Sequence, residues 1–351
     1  MVNIINFKYV PVLRFRDQER KAFLATSISD KMIPLVEIFT EKMRSNGRET
    51  SIEIFSRDFA NVNTSVMLDF PLYLRLQNNT KPAVRNFSQQ IQANPALRIN
   101  YFLNSHLIEM GNIIPVITYN PNIPYRSGAL LSEERLLRQY YDRIAVRVFP
   151  QQFSQVISEA KGLLRHGDIF ILEIDELSVS NPEIAPLFIE MNTKPSGVNY
   201  KTVLIRSAIP RTLTNTQLSP GQVVLQADNS LLRDYPQLGF DAFGDFVGVK
   251  KDDLTEGGRI SPGYLMYSWQ NNHYIGFNGV VDQPATFETM IVPDVLSSNV
   301  WPQFAQSHHH STCFGCSTIS NISNGTKSGQ SQPEWKGFTI GHYLYTMQEF
   351  L

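Results

Sequence analysis

Three short segments of this 351-residue chain repeat one pattern: Tyr9-Val10-Pro11-Val12-Leu13, Met32-Ile33-Pro34-Leu35-Val36 and Ile113-Ile114-Pro115-Val116-Ile117. Each is apolar, rich in β-branched residues and carries a proline near its start. Proline has no N–H to give a sheet ladder, so it suits the place where a strand begins. A near-continuous apolar run without polar alternation marks a strand covered on both faces, the habit of parallel sheets in α/β folds. The segments therefore read as buried strands entered at proline.

Strand-like runs alternate with helix-like runs along most of the chain, and the count reaches eight. The expected strands are 9–15, 32–39, 72–77, 113–119, 144–149, 169–174, 203–208 and 243–249. Between them lie amphipathic stretches such as 131–141, where Leu136, Leu137 and Tyr140 form an apolar stripe and Ser132 is a candidate cap. Eight β-α units predict a closed (β/α)8 TIM-like barrel, read as a single domain over 1–351 with its core at 9–298. After the eighth strand, 264–269 and 273–277 read as a hairpin inside an insertion at about 253–285, followed by a final helix at 287–296. An insertion there emerges at the C-terminal face, where such barrels carry their sites, so the hairpin is a candidate lid. The C-terminal extension 299–351 holds a polar His/Cys loop over 303–333 and a closing helix over 340–350.

Composition limits the partners. With 31 basic and 32 acidic residues, the net charge of −1 offers no overall field for nucleic acid or anionic lipid. The first residues lack the pattern of a signal peptide and no apolar run approaches membrane-spanning length. Two cysteines are too few for a secreted disulfide framework. The expectation is a cytoplasmic protein, away from membranes and with nucleic acid not favoured.

Charged residues inside strands that should be dry point to a site. They are Glu37, Arg75, Arg147, Glu173, Asp175, Arg206 and Asp245, most of them toward the C-terminal end of their run. Burying an unpaired charge costs several kcal/mol, so each must be paired, metal-bound or facing a wet pocket. Side chains alternate along a strand, so Glu173 and Asp175 share a face, and Arg147 and Arg206 on the neighbouring strands are expected to flank them. Two guanidinium forks beside two carboxylates suit a phosphate or carboxylate ligand, with an acid serving as general base or binding a divalent ion. In that reading Glu173 or Asp175 is the acid/base, Glu37 and Asp245 support it, and Arg75, Arg147 and Arg206 hold the anion. The alternative is an ion-pair network that closes the barrel and does no chemistry. His273, at the hairpin edge, is either a proton donor over the mouth or an exposed turn histidine. Tyr264, Tyr267, Trp269, Tyr274 and Phe277 would stack a base or sugar, or simply pack. The chain has no dinucleotide fingerprint, phosphate loop or nucleophile elbow, which disfavours dehydrogenase, P-loop nucleotidase and serine hydrolase.

A second constellation is His308-His309-His310-Ser311-Thr312-Cys313-Phe314-Gly315-Cys316. The Cys-x-x-Cys spacing lets two sulfurs converge on one cation, His309 or His310 can add a third ligand, and His342 is the one later histidine. Zinc held by His309, Cys313, Cys316 and His342, a cytosolic redox pair, and an unliganded surface loop all fit this spacing.

The opening Tyr9-Val10-Pro11-Val12-Leu13 with Glu19 and Ala22, the phrase Met32-Ile33-Pro34-Leu35-Val36-Glu37, and Trp335-Lys336-Gly337 with Gly341-His342-Tyr343 resemble the phage and prophage Beta protein family. The resemblance spans nearly the whole chain. It implies a barrel-like, prophage-encoded protein, often beside genes that exclude other phages, and it brings no established reaction. The functional expectation is anti-phage defence through a mouth that binds a small anionic or nucleotide-like ligand, with hydrolysis of a phosphate-containing or glycosidic bond if it is an enzyme. The rival expectation is a non-catalytic interaction protein that senses a phage component or neutralises a toxin encoded next to it, so a protein from a neighbouring gene is a candidate partner.

Overall fold

The computed structural model describes residues 6–41 and 49–351. Eight parallel strands close into a barrel: β1 (Tyr9–Arg14), β2 (Leu35–Glu37), β3 (Val66–Asp69), β4 (Ile113–Ile117), β5 (Ala145–Val148), β6 (Ile169–Glu173), β7 (Lys201–Ile205) and, after the two-residue β8 (Gln222–Val223), β9 (Ala242–Asp245). The seam is shut by β9, which pairs with β7 through Leu204 opposite Phe243 and with β1 through Tyr9 opposite Phe243. A hairpin, β10 (Gly263–Ser268) and β11 (His273–Asn278), joins β8 in a separate antiparallel sheet. This is a (β/α)8 TIM-like barrel.

Alternation explains why so few polar residues interrupt the strands. Val10, Val12, Leu35, Met67, Ile114, Val116, Ala145, Ile171, Val203 and Ile205 fill the barrel interior. Their neighbours Tyr9, Leu13, Val36, Leu68, Ile117, Val146, Phe170, Leu172, Leu204 and Phe243 face the helices. Both faces are dry, as the apolar runs require. Pro34 directly precedes β2, in line with entry at proline. Pro11 and Pro115 instead sit at the third residue of β1 and β4, where each strand forgoes one amide N–H and still pairs on both sides.

Three features differ from the sequence expectation. The third strand is Val66–Asp69, and 72–77 is a loop over the rim in which Tyr73 and Leu74 are buried. The 287–296 segment does form helical turns, but the helix beside the seam is Gln332–Phe350. It packs against helix Asp17–Leu24 and β10, and it reaches β9 through Tyr343, which hydrogen-bonds Asp245. The stretch expected as a polar loop is largely helical, with helices His309–Thr312 and Phe314–Ser323. Together with the hairpin they build a second apolar core around Tyr264, Met266, Phe277, Phe287, Ile319 and Trp335.

Candidate functional site

At the C-terminal ends of the strands the inward phase turns from apolar to charged: Arg14 on β1, Glu37 on β2, Asp69 on β3, Arg147 on β5 and Glu173 on β6. Arg147 is fully buried. Its Nη1 donates to Glu37 Oε1 at 2.8 Å and to Asp69 Oδ2 at 2.7 Å, and its Nε donates to Glu173 Oε2 at 2.8 Å. The Tyr73 ring lies 4.9 Å from the guanidinium carbon, and the Tyr73 hydroxyl donates to Glu37 at 2.7 Å. Lys251, also buried, pairs with Glu173 and stands 3.5 Å from Asp175. Arg98 reaches Asp69 at 3.1 Å from the outer side, and Arg14 couples Glu37 to Asp252. Each buried charge thus meets the opposite sign, which is what makes burial tolerable. Burial alone would raise the Glu173 carboxyl, but Arg147 and Lys251 outweigh it and hold the group at about 2.

Above this floor opens a cavity of about 640 Å³, bounded by the end of β1 and by the loops after β3, β4, β5, β6, β7 and β9. Its charged lining is mixed: Arg14, Arg75, Arg211 and Lys251 face Glu173, Asp175, Glu176, Asp252 and Asp253. Arg211 is tied to Asp175 at 2.7 Å and Asp253 at 3.2 Å. Arg75 is exposed, donates from Nε to Asn122 at 2.6 Å and has no carboxylate partner among the described residues. Non-glycine residues with left-handed backbone gather in the surrounding loops, at Gln152, Asp175, Val247 and Leu254. Such conformations cost of order 1–3 kcal/mol each and concentrate at functional sites.

The expected residues divide accordingly. Glu37, Arg147 and Glu173 converge on the floor, while Asp175 and Arg75 reach the rim, Arg75 from a loop and not from a strand. Arg147 is saturated by three carboxylates, which removes it as an anion holder. Arg206 follows the inward Ile205, faces outward, and bonds Leu177 O at 2.8 Å and Asp228 at 2.9 Å. It does not flank Glu173. Asp245 lies between inward Gly244 and Phe246 and also faces outward, where Tyr9 donates to it at 2.7 Å and the Val247 N–H at 2.9 Å. Burial pushes Asp245 up to about 6, against hydrogen bonds from Tyr343, Tyr9 and Val247. His273 is exposed on the hairpin, and among the described residues none of the hairpin or of 301–323 lines the cavity, so neither element is placed as its roof. Asp69, Tyr73, Arg98 and Lys251 were not foreseen. An acid closing the apolar run Val66-Met67-Leu68, as Glu37 closes Leu35-Val36, was the available signal for Asp69.

The His/Cys segment forms a second centre beside the barrel. His309, Cys313, Cys316 and His342 are all buried, and their donor atoms lie within 4.8 Å of one another, an arrangement that could hold a metal ion. Gly315 lets helix Phe314–Ser323 approach Phe338 of helix Gln332–Phe350, and Gly341 accepts the Phe314 ring, so His342 is brought to the cysteines. His342 Nδ1 lies 3.2 Å from His309 Nε2 and 3.3 Å from Cys316 Sγ. Two nitrogens bound tetrahedrally at zinc-like bond lengths would be about 3.3 Å apart, close to the spacing here. His310 is not in the cluster: it stacks on Trp301 with ring centres 4.0 Å apart.

A closed, all-parallel eight-stranded cylinder with its charged rim at the C-terminal strand ends defines the chain as a (β/α)8 barrel. A family model described as Beta protein matches residues 9–349, and the chain belongs to that family. No curated protein and no solved structure matches it. No helix among the described residues is long and apolar enough to cross a membrane.

Proposed function

We propose that the barrel mouth binds a small, polar, nucleotide-like ligand, with Arg75 contacting its anionic group. The observation that carries this reading is the 640 Å³ cavity at the C-terminal face with one guanidinium, Arg75, that has no carboxylate partner among the described residues. The size suits a small-molecule site, and the Tyr73 and Phe149 rings add apolar wall. Binding is favoured over turnover because Glu173, at the base of the cavity, is locked ionised between Arg147 and Lys251 and suits a fixed acceptor better than a proton shuttle. Thermal shift against nucleoside mono-, di- and triphosphates and sugar phosphates tests this. At least one should stabilise the protein, and Arg75→Ala should weaken it about tenfold. A panel without effect, or an effect indifferent to Arg75→Ala, refutes the reading, and release of phosphate or reducing sugar would restore the hydrolytic one.

The setting we propose is cytoplasmic anti-phage defence, supported by the resemblance to prophage-encoded proteins. Phage plating on cells carrying the wild type or Arg75→Ala tests it, and equal plating on both and on empty cells counts against it. Co-purification of a neighbouring gene product without any small ligand would favour the interaction protein.

For the His/Cys centre we propose Zn²⁺. Two thiols and two imidazoles, all buried and with no side left open, match structural zinc better than a catalytic ion. Elemental analysis should find one zinc per chain, lost in Cys313→Ser. Metal-free wild-type protein would refute it.

A further inference from the structure

The two histidines of the His/Cys centre are each held from behind by a group that only accepts. His309 Nδ1 lies 3.2 Å from Glu349 Oε2, and His342 Nε2 lies 2.9 Å from the Tyr267 carbonyl oxygen. A carbonyl accepts and cannot donate, and an ionised carboxylate likewise, so the imidazole N–H of each ring belongs on that outer nitrogen. This leaves His309 Nε2 and His342 Nδ1 as bare lone pairs facing each other at 3.2 Å, beside Cys316 Sγ. Two lone pairs so placed repel unless a cation lies between them.

We infer that Glu349 is the positioning residue of the metal centre: it fixes the His309 tautomer, aims Nε2 at the ion and raises the basicity of that ring. This rests on the zinc reading above and extends it to a residue the sequence did not single out. Glu349 follows His342 by two helical turns, so both stand on one face of helix Gln332–Phe350. One helix therefore supplies a ligand of its own and the brace for a ligand on another helix. The brace is well placed to matter, because the His309 ring is already confined by Phe304, with ring centres 4.6 Å apart, and by Tyr345 at 4.5 Å. The Tyr345 hydroxyl in turn bonds Thr312 at 2.6 Å, which closes that wall. The Glu349 side chain itself is only about a third exposed. Partners of this kind typically change metal affinity 10–100-fold when removed.

The test uses the full chain, with Zn²⁺ affinity measured by competition against a chromophoric chelator and Co²⁺ as spectroscopic probe. Glu349→Ala should weaken Zn²⁺ about 10–100-fold. Glu349→Gln, whose amide oxygen accepts the same N–H, should recover most of the loss. Cobalt-loaded wild type and both variants should share tetrahedral thiolate bands, since the four ligands are unchanged. Unaltered Zn²⁺ affinity in Glu349→Ala overturns the inference and leaves the zinc reading intact. Equal weakening in both variants with loss of helical circular dichroism also overturns it, by making Glu349 a helix-end residue. A wild type that takes up neither Zn²⁺ nor Co²⁺ removes the zinc reading and this inference together.

Discussion

Replacing Arg147 by methionine removes the one cation among the described residues that touches Glu37, Asp69 and Glu173 together. The side-chain volume is roughly kept, so the effect is electrostatic. Breaking a buried ion pair by deleting one partner costs about 3–5 kcal/mol, because the remaining charge is stranded. Here three acids lose a partner, but Tyr73 still holds Glu37, Arg98 still holds Asp69 and Lys251 still holds Glu173, which keeps the loss inside that range. Glu173 gives the pH dependence. Its folded value of about 2 lies below its usual 4.5, so its contribution is complete above 4.5 and disappears as pH falls through 2. That depression corresponds to about 3 kcal/mol, much of it owed to Arg147. Urea unfolding followed by tryptophan fluorescence should show the variant about 3–5 kcal/mol less stable at pH 7, with the gap narrowing toward pH 3 as stranded acids take up protons. Guanidinium chloride is unsuitable, since its cation can occupy the vacated position. A loss under about 1 kcal/mol at pH 7, or a gap that does not change with pH, would refute the view that Arg147 is the counter-charge of the barrel floor.

Asp245 carries the opposite sign. Its folded value of about 6 exceeds its usual 3.8, so its contribution is full below 3.8 and is lost as pH rises through 6; Asp245→Asn should flatten a stability decline of about 3 kcal/mol between pH 4 and 7. Parallel declines in both proteins, read from urea midpoints, would contradict this. Gly315→Ala places a methyl against the Phe338 carbonyl and should cost about 1–3 kcal/mol while pulling Cys316 away from His342. An unchanged melting temperature would show that the two helices have slack.

The barrel was legible because strands dry on both faces leave little ambiguity. Leu72 to Gln77 misled because Leu72, Leu74 and Leu76 alternate at strand period, while the loop that holds them lies on the rim and buries Tyr73 and Leu74 beneath it. The real third strand is shorter and stops before Pro71. Glu37, Arg147 and Glu173 were found because a charge in a dry run needs a partner. Arg206 and Asp245 obey the same rule on the other face of the sheet, and only the inward phase of Ile205 and Gly244 separates the two cases. Asp175 stays near Glu173 although its φ of 55° takes it off the strand course. Lys251 falls between the expected eighth strand at 243–249 and the expected insertion at about 253–285, where nothing marks a buried charge. The four metal-ligating candidates were readable from spacing, and His342 lies on the closing helix expected over 340–350; the helices around His309 and Cys316 were not, since Ser, Thr and Asn dominate the exposed face of Phe314–Ser323 and its buried side is made by Cys316, Ile319 and Gly315.

The seam between β1 and β9 brings Tyr9 against Phe243, and the helix beside it, Gln332–Phe350, is supplied from almost ninety residues past β9. Loop-closure entropy grows only logarithmically, by about 0.6 kcal/mol per doubling of length, so drawing the outer helix from that distance costs the finished fold little. The penalty falls on kinetics. Neighbouring strands can assemble in sequence, but the cylinder stays an open, edge-bearing sheet until β9 meets β1, with Tyr9 opposite Phe243, and contacts of that sequence separation form slowly. During that interval the bare flank of β1, with its run of unpaired amides and apolar side chains, is where misassociation with another copy would begin.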